Sequence, residues 1–298
     1  MGPEEAHGPL SVDNGAGWPN WFERRAMACV WGVGIVGADA KQAEQAARAA
    51  FAEIERLEGE LSRFVATSDV ARINALRAEQ AVRVGVDVFD CLELALRVNR
   101  ETAGAFDVTA DSAGARPAGR IELDRTAMAV RMLADGTVVD LGAIGKGYAL
   151  DQAAALLRDW GVGAALLHCG QSTVYALGSP PGQPGWTVGV RDPRQPAAVL
   201  GQVRLRDAAL SGSGRRLHGA HIVDPRTGCP ATGADGAWAL APSAALADAL
   251  STAFMVLSAA EVSQYCARYA QVAGLVLPAG GGEQRCEHFG RDLPGWES

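Results

Sequence analysis

The segment Val139-Asp140-Leu141-Gly142-Ala143-Ile144-Gly145-Lys146-Gly147-Tyr148 constrains the fold more than any other part of the chain. Its apolar start reads as a strand, and glycines at 142, 145 and 147 then punctuate a turn that opens a helix over 148–160. Gly161 and Gly163 stop that helix before a second apolar run over 164–167, so strand, helix and strand follow without a linker. Glycines let the backbone approach a ligand, and a helix N-terminus beside Lys146 favours an anion such as pyrophosphate. The same residues also describe a tight strand-to-helix connection with a solvated lysine, and the segment alone leaves both readings open.

The rest of the chain repeats this mixture. Asp39 caps a long amphipathic helix over 40–61, a second helix covers 88–102 with Gly104 as its stop, and Ser243 caps a third near 243–257. A last helix is expected over 260–270. Strands are expected over 26–36, 121–123, 129–133, 138–141, 174–177, 186–191, 199–205, 237–241 and 273–277, with 110–120 a loop. Residues 1–22 carry Gly8-Pro9, Asn14-Gly15 and Pro19 without apolar periodicity and read as a flexible arm. The remainder, 23–298, reads as one compact α+β domain, because no linker, repeat or low-complexity tract divides it.

Composition narrows the function. With 48% hydrophobic and 20% charged residues among 298, the chain is globular and large enough for a substantial core. A net charge of -7 without basic clusters speaks against nucleic acid as a partner. The six cysteines are scattered, which points to free thiols rather than a zinc or redox motif. Neither a secretory signal nor an apolar run of about 20 residues stands out, so no membrane span and a cytoplasmic location are expected.

Two further segments carry candidate chemistry. His221-Ile222-Val223-Asp224-Pro225-Arg226-Thr227-Gly228 offers a histidine before a polar turn, suited to a general base. His218 three residues earlier leaves a metal pair open, and a surface histidine beside a proline turn is the plainer alternative. Asp248 and Thr252, four residues apart, share one face of an apolar helix, and their oxygens suit Mg²⁺ or Ca²⁺. Asp248 accepting backbone hydrogen bonds, with Thr252 as core, is the competing reading.

These three segments, in this order, resemble the ApbE family of FAD:protein FMN transferases. The resemblance extends to Ala26-Met27-Ala28-Cys29, to Leu61-Ser62-Arg63-Phe64 with Ser68 and Arg72-Ile73-Asn74, and to Gly104-Ala105-Phe106-Asp107-Val108-Thr109, and so spans about 24–277. It implies an ApbE-like, T-fold-related domain with mixed and antiparallel sheets and flanking helices. It also implies that the Ala143 carbonyl, Asp248 and Thr252 hold Mg²⁺, with Ca²⁺ or Mn²⁺ as substitutes, and that His221 takes the proton of an acceptor hydroxyl. Met27, Asp107, Lys146, Ser213 and Gly214 would line the site for FAD. The implied partners are FAD and an acceptor protein with a Thr or Ser to be modified, FMN being attached through a phosphoester as AMP leaves.

The sequence departs from the family pattern at Ala28-Cys29, where the pattern has Gly-Thr, at His168-Cys169-Gly170-Gln171-Ser172, where it has Asn-x-Gly-Gly-Asp/Ser, and at Arg215, where it has an aromatic residue. These departures fall on the flavin and acceptor side. They keep two alternatives in view: an FAD pyrophosphatase that releases FMN and AMP, and a flavin-binding protein without turnover.

Overall fold

The computed structural model describes residues 10–12, 20–110, 120–215, 222–280 and 285–296. In chain order its elements are β1 (Leu10–Val12), β2 (Trp21–Ala26), β3 (Cys29–Val36), α1 (Ala40–Leu61), α2 (Asp69–Asn74), β4 (Ala81–Arg83), α3 (Val86–Glu101), β5 (Ile121–Asp124), β6 (Ala129–Met132) and α4 (Gly145–Asp159). There follow β7 (Ala164–Cys169), β8 (Thr173–Leu177), β9 (Trp186–Asp192), β10 (Gln195–Leu205), β11 (Ala208–Gly214), β12 (Ala234–Ala241), α5 (Ala244–Phe254), α6 (Ala259–Arg268), β13 (Ala273–Pro278) and β14 (Glu287–Gly290). The architecture is α+β, a single compact domain.

An antiparallel sheet of eight strands, in the order β14-β13-β12-β11-β8-β7-β3-β2, runs through the molecule. Its central strands are buried on both faces, so their alternation divides two cores rather than a core from solvent. Ala165, Leu167 and Cys169 of β7, Tyr175 and Leu177 of β8, and Ala237, Ala239 and Ala241 of β12 pack under the helices. Leu166, Val174, Ala176, Trp238 and Leu240 pack on the opposite side against the small sheet β1-β9-β10. A second small sheet, β4-β6-β5, completes the fold.

The helical layer follows from its stripes. Ala43, Ala46, Ala50, Ile54, Leu57 and Leu61 give α1 a buried face at helical spacing, and Asp39 caps it by accepting the Gln42 N–H at 2.9 Å. Each fully buried Ile or Leu contributes about 1.5–3 kcal/mol. The alanines on α1, α4 and α5 instead let the helices lie close together.

Several sequence expectations are corrected. Part of the arm over 1–22 is ordered: Leu10 is fully buried, β1 pairs with β9, and Trp21 and Phe22 belong to β2. Three residues are too few to show a period, and their burial depends on a strand almost 180 residues away. The single strand expected over 26–36 is a hairpin, β2–β3, turning at Met27 (φ 47°) and Ala28 (φ 60°). No Asn or Gly announces that left-handed turn. The strand expected over 138–141 joins no sheet. Its Val139 N–H and C=O pair with the Asn74 side chain at 2.7 and 3.0 Å, and the Asp140 N–H donates to Val108 O.

His168 sits in β7 on the side away from the helices, 6% exposed and stacked on Trp21 with ring centroids 5.5 Å apart. Neither ring nitrogen has a hydrogen-bond partner among the described residues. Burial lowers its pKa below the ordinary 6.5, with Glu23 opposing. The fold therefore holds the neutral ring while the unfolded chain takes up the proton more readily, so stability is lost as pH falls below 6.5. Replacing His168→Phe keeps the stack and removes the titration. Urea midpoints across this pH range are expected to drop less in the variant than in the wild type, and parallel profiles would contradict the assignment.

Candidate functional site

The site is built where α4 and α5 meet. No side chain caps α4 from its own N-terminus, at Ile144. Asp248 of α5 does so instead, its Oδ2 accepting the Gly147 N–H at 3.2 Å. Asp151 of α4 returns the arrangement by accepting the Ala244 and Ala245 N–H groups of α5 at 2.6 and 2.9 Å, beside the Ser243 cap. Burial pushes Asp151 up to about 6 despite those two bonds. Gly147 allows the approach, since a Cβ there would stand 2.3 Å from Ala244 O.

The residues expected to act together line one cavity of about 610 Å³. Ala143, Lys146, Asp248, Thr252, Asp107, Ser213 and Gly214 all border it. Ile222, Val223 and Pro225, from the turn that follows His221, form another part of its wall. His221 itself and His218 lie outside the described residues. Met27 is separate: with Arg25, Cys29 and Glu58 it borders a smaller hollow of about 260 Å³. The hairpin turn explains this, because Met27 occupies the tip rather than the strand.

Lys146 donates to Gly142 O at 2.5 Å. Burial works against its charge, but the carboxylates of Asp248 and Asp140 beside it help leave its pKa raised. Asp107 ends the α3 exit turn, its Oδ1 accepting both the N–H and the hydroxyl of Thr109 at 2.8 Å. Arg63, not expected as a lining residue, pairs with Asp140 at 3.3 Å on the cavity wall. Among the described lining residues, three carboxylates (Asp107, Asp140, Asp248) face two cations (Arg63, Lys146).

Around Asp248, which is 6% exposed, lies a set of hydroxyls of which sequence reasoning named Ser213 and Thr252 but missed Thr173, Ser211 and Ser251. Thr173 Oγ1 and Ser211 Oγ each donate to Oδ1 at 3.2 Å, and Ser251 Oγ donates to Asp248 O at 3.0 Å. Ser213 reaches Ser251 at 3.0 Å, while Thr252 is engaged only at 3.4 and 3.5 Å. The signal was the period-two pair Ser211 and Ser213 in a strand of small residues, β11, that carries little strand propensity.

The departures from the family pattern find physical places here. Burial pushes the Cys29 thiol up to about 11, with Lys146 opposing, so it packs as a neutral group. It lies against Gly170, where a Cβ would come within 2.9 Å of its own. Gln171 adopts φ 58° at the β7–β8 turn, and its carbonyl accepts the Leu10 N–H at 3.0 Å. Arg215 is drawn toward Asp235 at 3.9 Å.

The donor set suits a hard cation. Asp248 has about four lone-pair positions, of which three are taken, and Thr252 is weakly engaged. Among the described residues no group of three or more His, Cys, Asp or Glu is placed to hold a metal; the donors gathered at this cavity are mixed carboxylate, hydroxyl and carbonyl oxygens.

An eight-stranded antiparallel sheet with a polar cleft at its helix-covered face defines the class: a single-domain α+β protein with an oxygen-rich ligand site. A family model described as the ApbE family matches residues 27–276, and the chain belongs to that family. It is 26% identical to the FAD:protein FMN transferase of Salmonella typhimurium over 299 residues, covering 88% of this chain and 85% of the relative. Against the FAD:protein FMN transferase of Treponema pallidum it is 36% identical over 151 residues, 43% of this chain and 40% of the relative. The fold is similar to the ApbE protein of Thermotoga maritima, with TM-score 0.76, 25% identity, and 90% of this chain and 96% of that one covered. It is likewise similar to the flavinyl transferase ApbE of Pseudomonas stutzeri in its apo form, with TM-score 0.78, 22% identity, and 90% and 93% covered. No helix among the described residues is long and apolar enough to cross a membrane.

Because Gly147 sets both the helix approach and the Asp248 contact, Gly147→Ala is expected to cost about 1–3 kcal/mol from overpacking. Chemical denaturation measures this; an unchanged midpoint would show that the helices are not held at this glycine.

Proposed function

We propose that this chain is a metal-dependent FAD:protein FMN transferase. The observation that carries the reading is the convergence of Ala143, Lys146, Asp248 and Thr252 on one cavity, with Asp107, Ser213 and Gly214 on its other walls. A pyrophosphate entering a cavity lined by more carboxylates than cations needs added positive charge. The Ala143 carbonyl, Asp248 and Thr252 supply oxygens for Mg²⁺, and Ca²⁺ or Mn²⁺ suit the same donors. When bound, the cation neutralises charge on the phosphates as the anhydride breaks.

The chain's own residues do the rest. Lys146, fixed on Gly142 O, and the N-terminus of α4 set positive charge beside the phosphates. His221, the residue that precedes the 222–225 wall in sequence, is the group assigned to take the proton from a Thr or Ser hydroxyl of the acceptor protein. That oxygen bonds to the phosphorus on the FMN side, the anhydride P–O bond breaks, and AMP leaves with the bridging oxygen. FMN is left on the acceptor as a phosphoester.

The test incubates the chain with FAD, Mg²⁺ and a candidate acceptor, following AMP by chromatography and the acceptor by mass spectrometry. Asp248→Ala is expected to lower AMP release by about 100-fold or more, the scale of several kcal/mol of charge stabilisation. His221→Ala is expected to lose turnover while still binding FAD. Free FMN and AMP without acceptor would point to a pyrophosphatase instead, and FAD left intact would contradict both enzymatic readings.

A further inference from the structure

We infer that Thr173 and Ser211 are positioning residues for Asp248, their buried hydroxyls fixing its carboxylate in the orientation that receives a divalent cation. The inference rests on the reading of Asp248 as a cation ligand given under Proposed function.

Both residues are fully buried, and neither is among the residues that border the cavity. They stand opposite each other in the β8–β11 pairing, with their oxygens 2.9 Å apart. The other helix-facing residues of these strands include Tyr175, Leu177 and Ala209 in the apolar core. A hydroxyl buried there is costly unless it is hydrogen-bonded, and the charged group both hydroxyls reach is Asp248 Oδ1, at 3.2 Å each. Each hydroxyl has one proton, so the pair, its oxygens 2.9 Å apart and Ser211 Oγ also 3.3 Å from Ser172 O, engages Oδ1 as a unit. Oδ2 keeps one N–H, from Gly147, and one open lone pair. The hydroxyls thus divide the carboxylate into an oxygen bound to the fold and an oxygen left with capacity. Groups that orient a ligand in this way commonly change metal affinity about 10–100-fold when removed.

The test titrates the full chain with Mn²⁺, with and without FAD, reading the free ion by electron paramagnetic resonance. Thr173→Val removes the hydroxyl at nearly constant shape, Thr173→Ser keeps it, Ser211→Ala deletes it without adding bulk, and Asp248→Asn serves as reference. Thr173→Val and Ser211→Ala are expected to weaken Mn²⁺ binding about 10-fold or more, while Thr173→Ser stays close to wild type. Melting curves check folding, and Ser211→Ala carries the test should Thr173→Val fail to fold. Wild-type affinity in both hydroxyl-free variants, with binding lost in Asp248→Asn, would overturn the inference and leave the cation reading standing. No Mn²⁺ uptake by the wild type, or uptake unchanged in Asp248→Asn, would overturn the cation reading and the inference with it.

Discussion

Two helices cap one another, and the site depends on it. The N-terminus of α4 ends on Asp248 of α5, and the N-terminus of α5 ends on Asp151 of α4. Each exchange satisfies backbone N–H groups that a helix start leaves open, and each needs the close approach that Gly147 permits. Because Asp248 is both a cap and a lining residue, folding and the ligand site share one carboxylate. The site cannot shift without unsettling the helix pair.

The sheet beneath supplies what the helices lack. Alternation in β8 and β11 aims Thr173, Ser211 and Ser213 at α5, in positions that largely apolar residues such as Tyr175, Leu177 and Ala209 occupy elsewhere on that face. Asp248 is thereby kept in a polar nest inside an otherwise apolar helix, which answers the cost of burying a charge. On the open side, three carboxylates and two cations among the described lining residues set the charge balance on which the proposed cation rests.

Much of this was legible in the sequence, and for physical reasons. Strong periodicity and caps gave α1 its bounds and Ser243 its role, and the oxygen-bearing face of α5 was visible from the four-residue spacing of Asp248 and Thr252. The resemblance grouped Lys146, Asp107, Ser213 and Gly214, and the structure brings all four to the border of one cavity. What stayed hidden depends on tertiary context. The β2–β3 turn uses Met27 and Ala28 where glycine or asparagine is usual, and β11 is, apart from Leu210, made of Ala, Ser and Gly, which carry weak strand preference. Asn74 replaces a strand neighbour for Val139 with its side chain, a contact 65 residues apart in sequence. No local pattern encodes such pairings, nor the reciprocal use of Asp151 and Asp248.

The central claim is that the α4–α5 junction holds a cation through Asp248 for chemistry on the pyrophosphate of FAD. Crystals soaked with Mn²⁺ and FAD, measured at the manganese absorption edge, test it most directly. The account predicts an anomalous peak in the cavity at coordination distance from the Asp248 carboxylate, beside the phosphates. A peak elsewhere, or FAD bound with its phosphates away from Asp248, would contradict it.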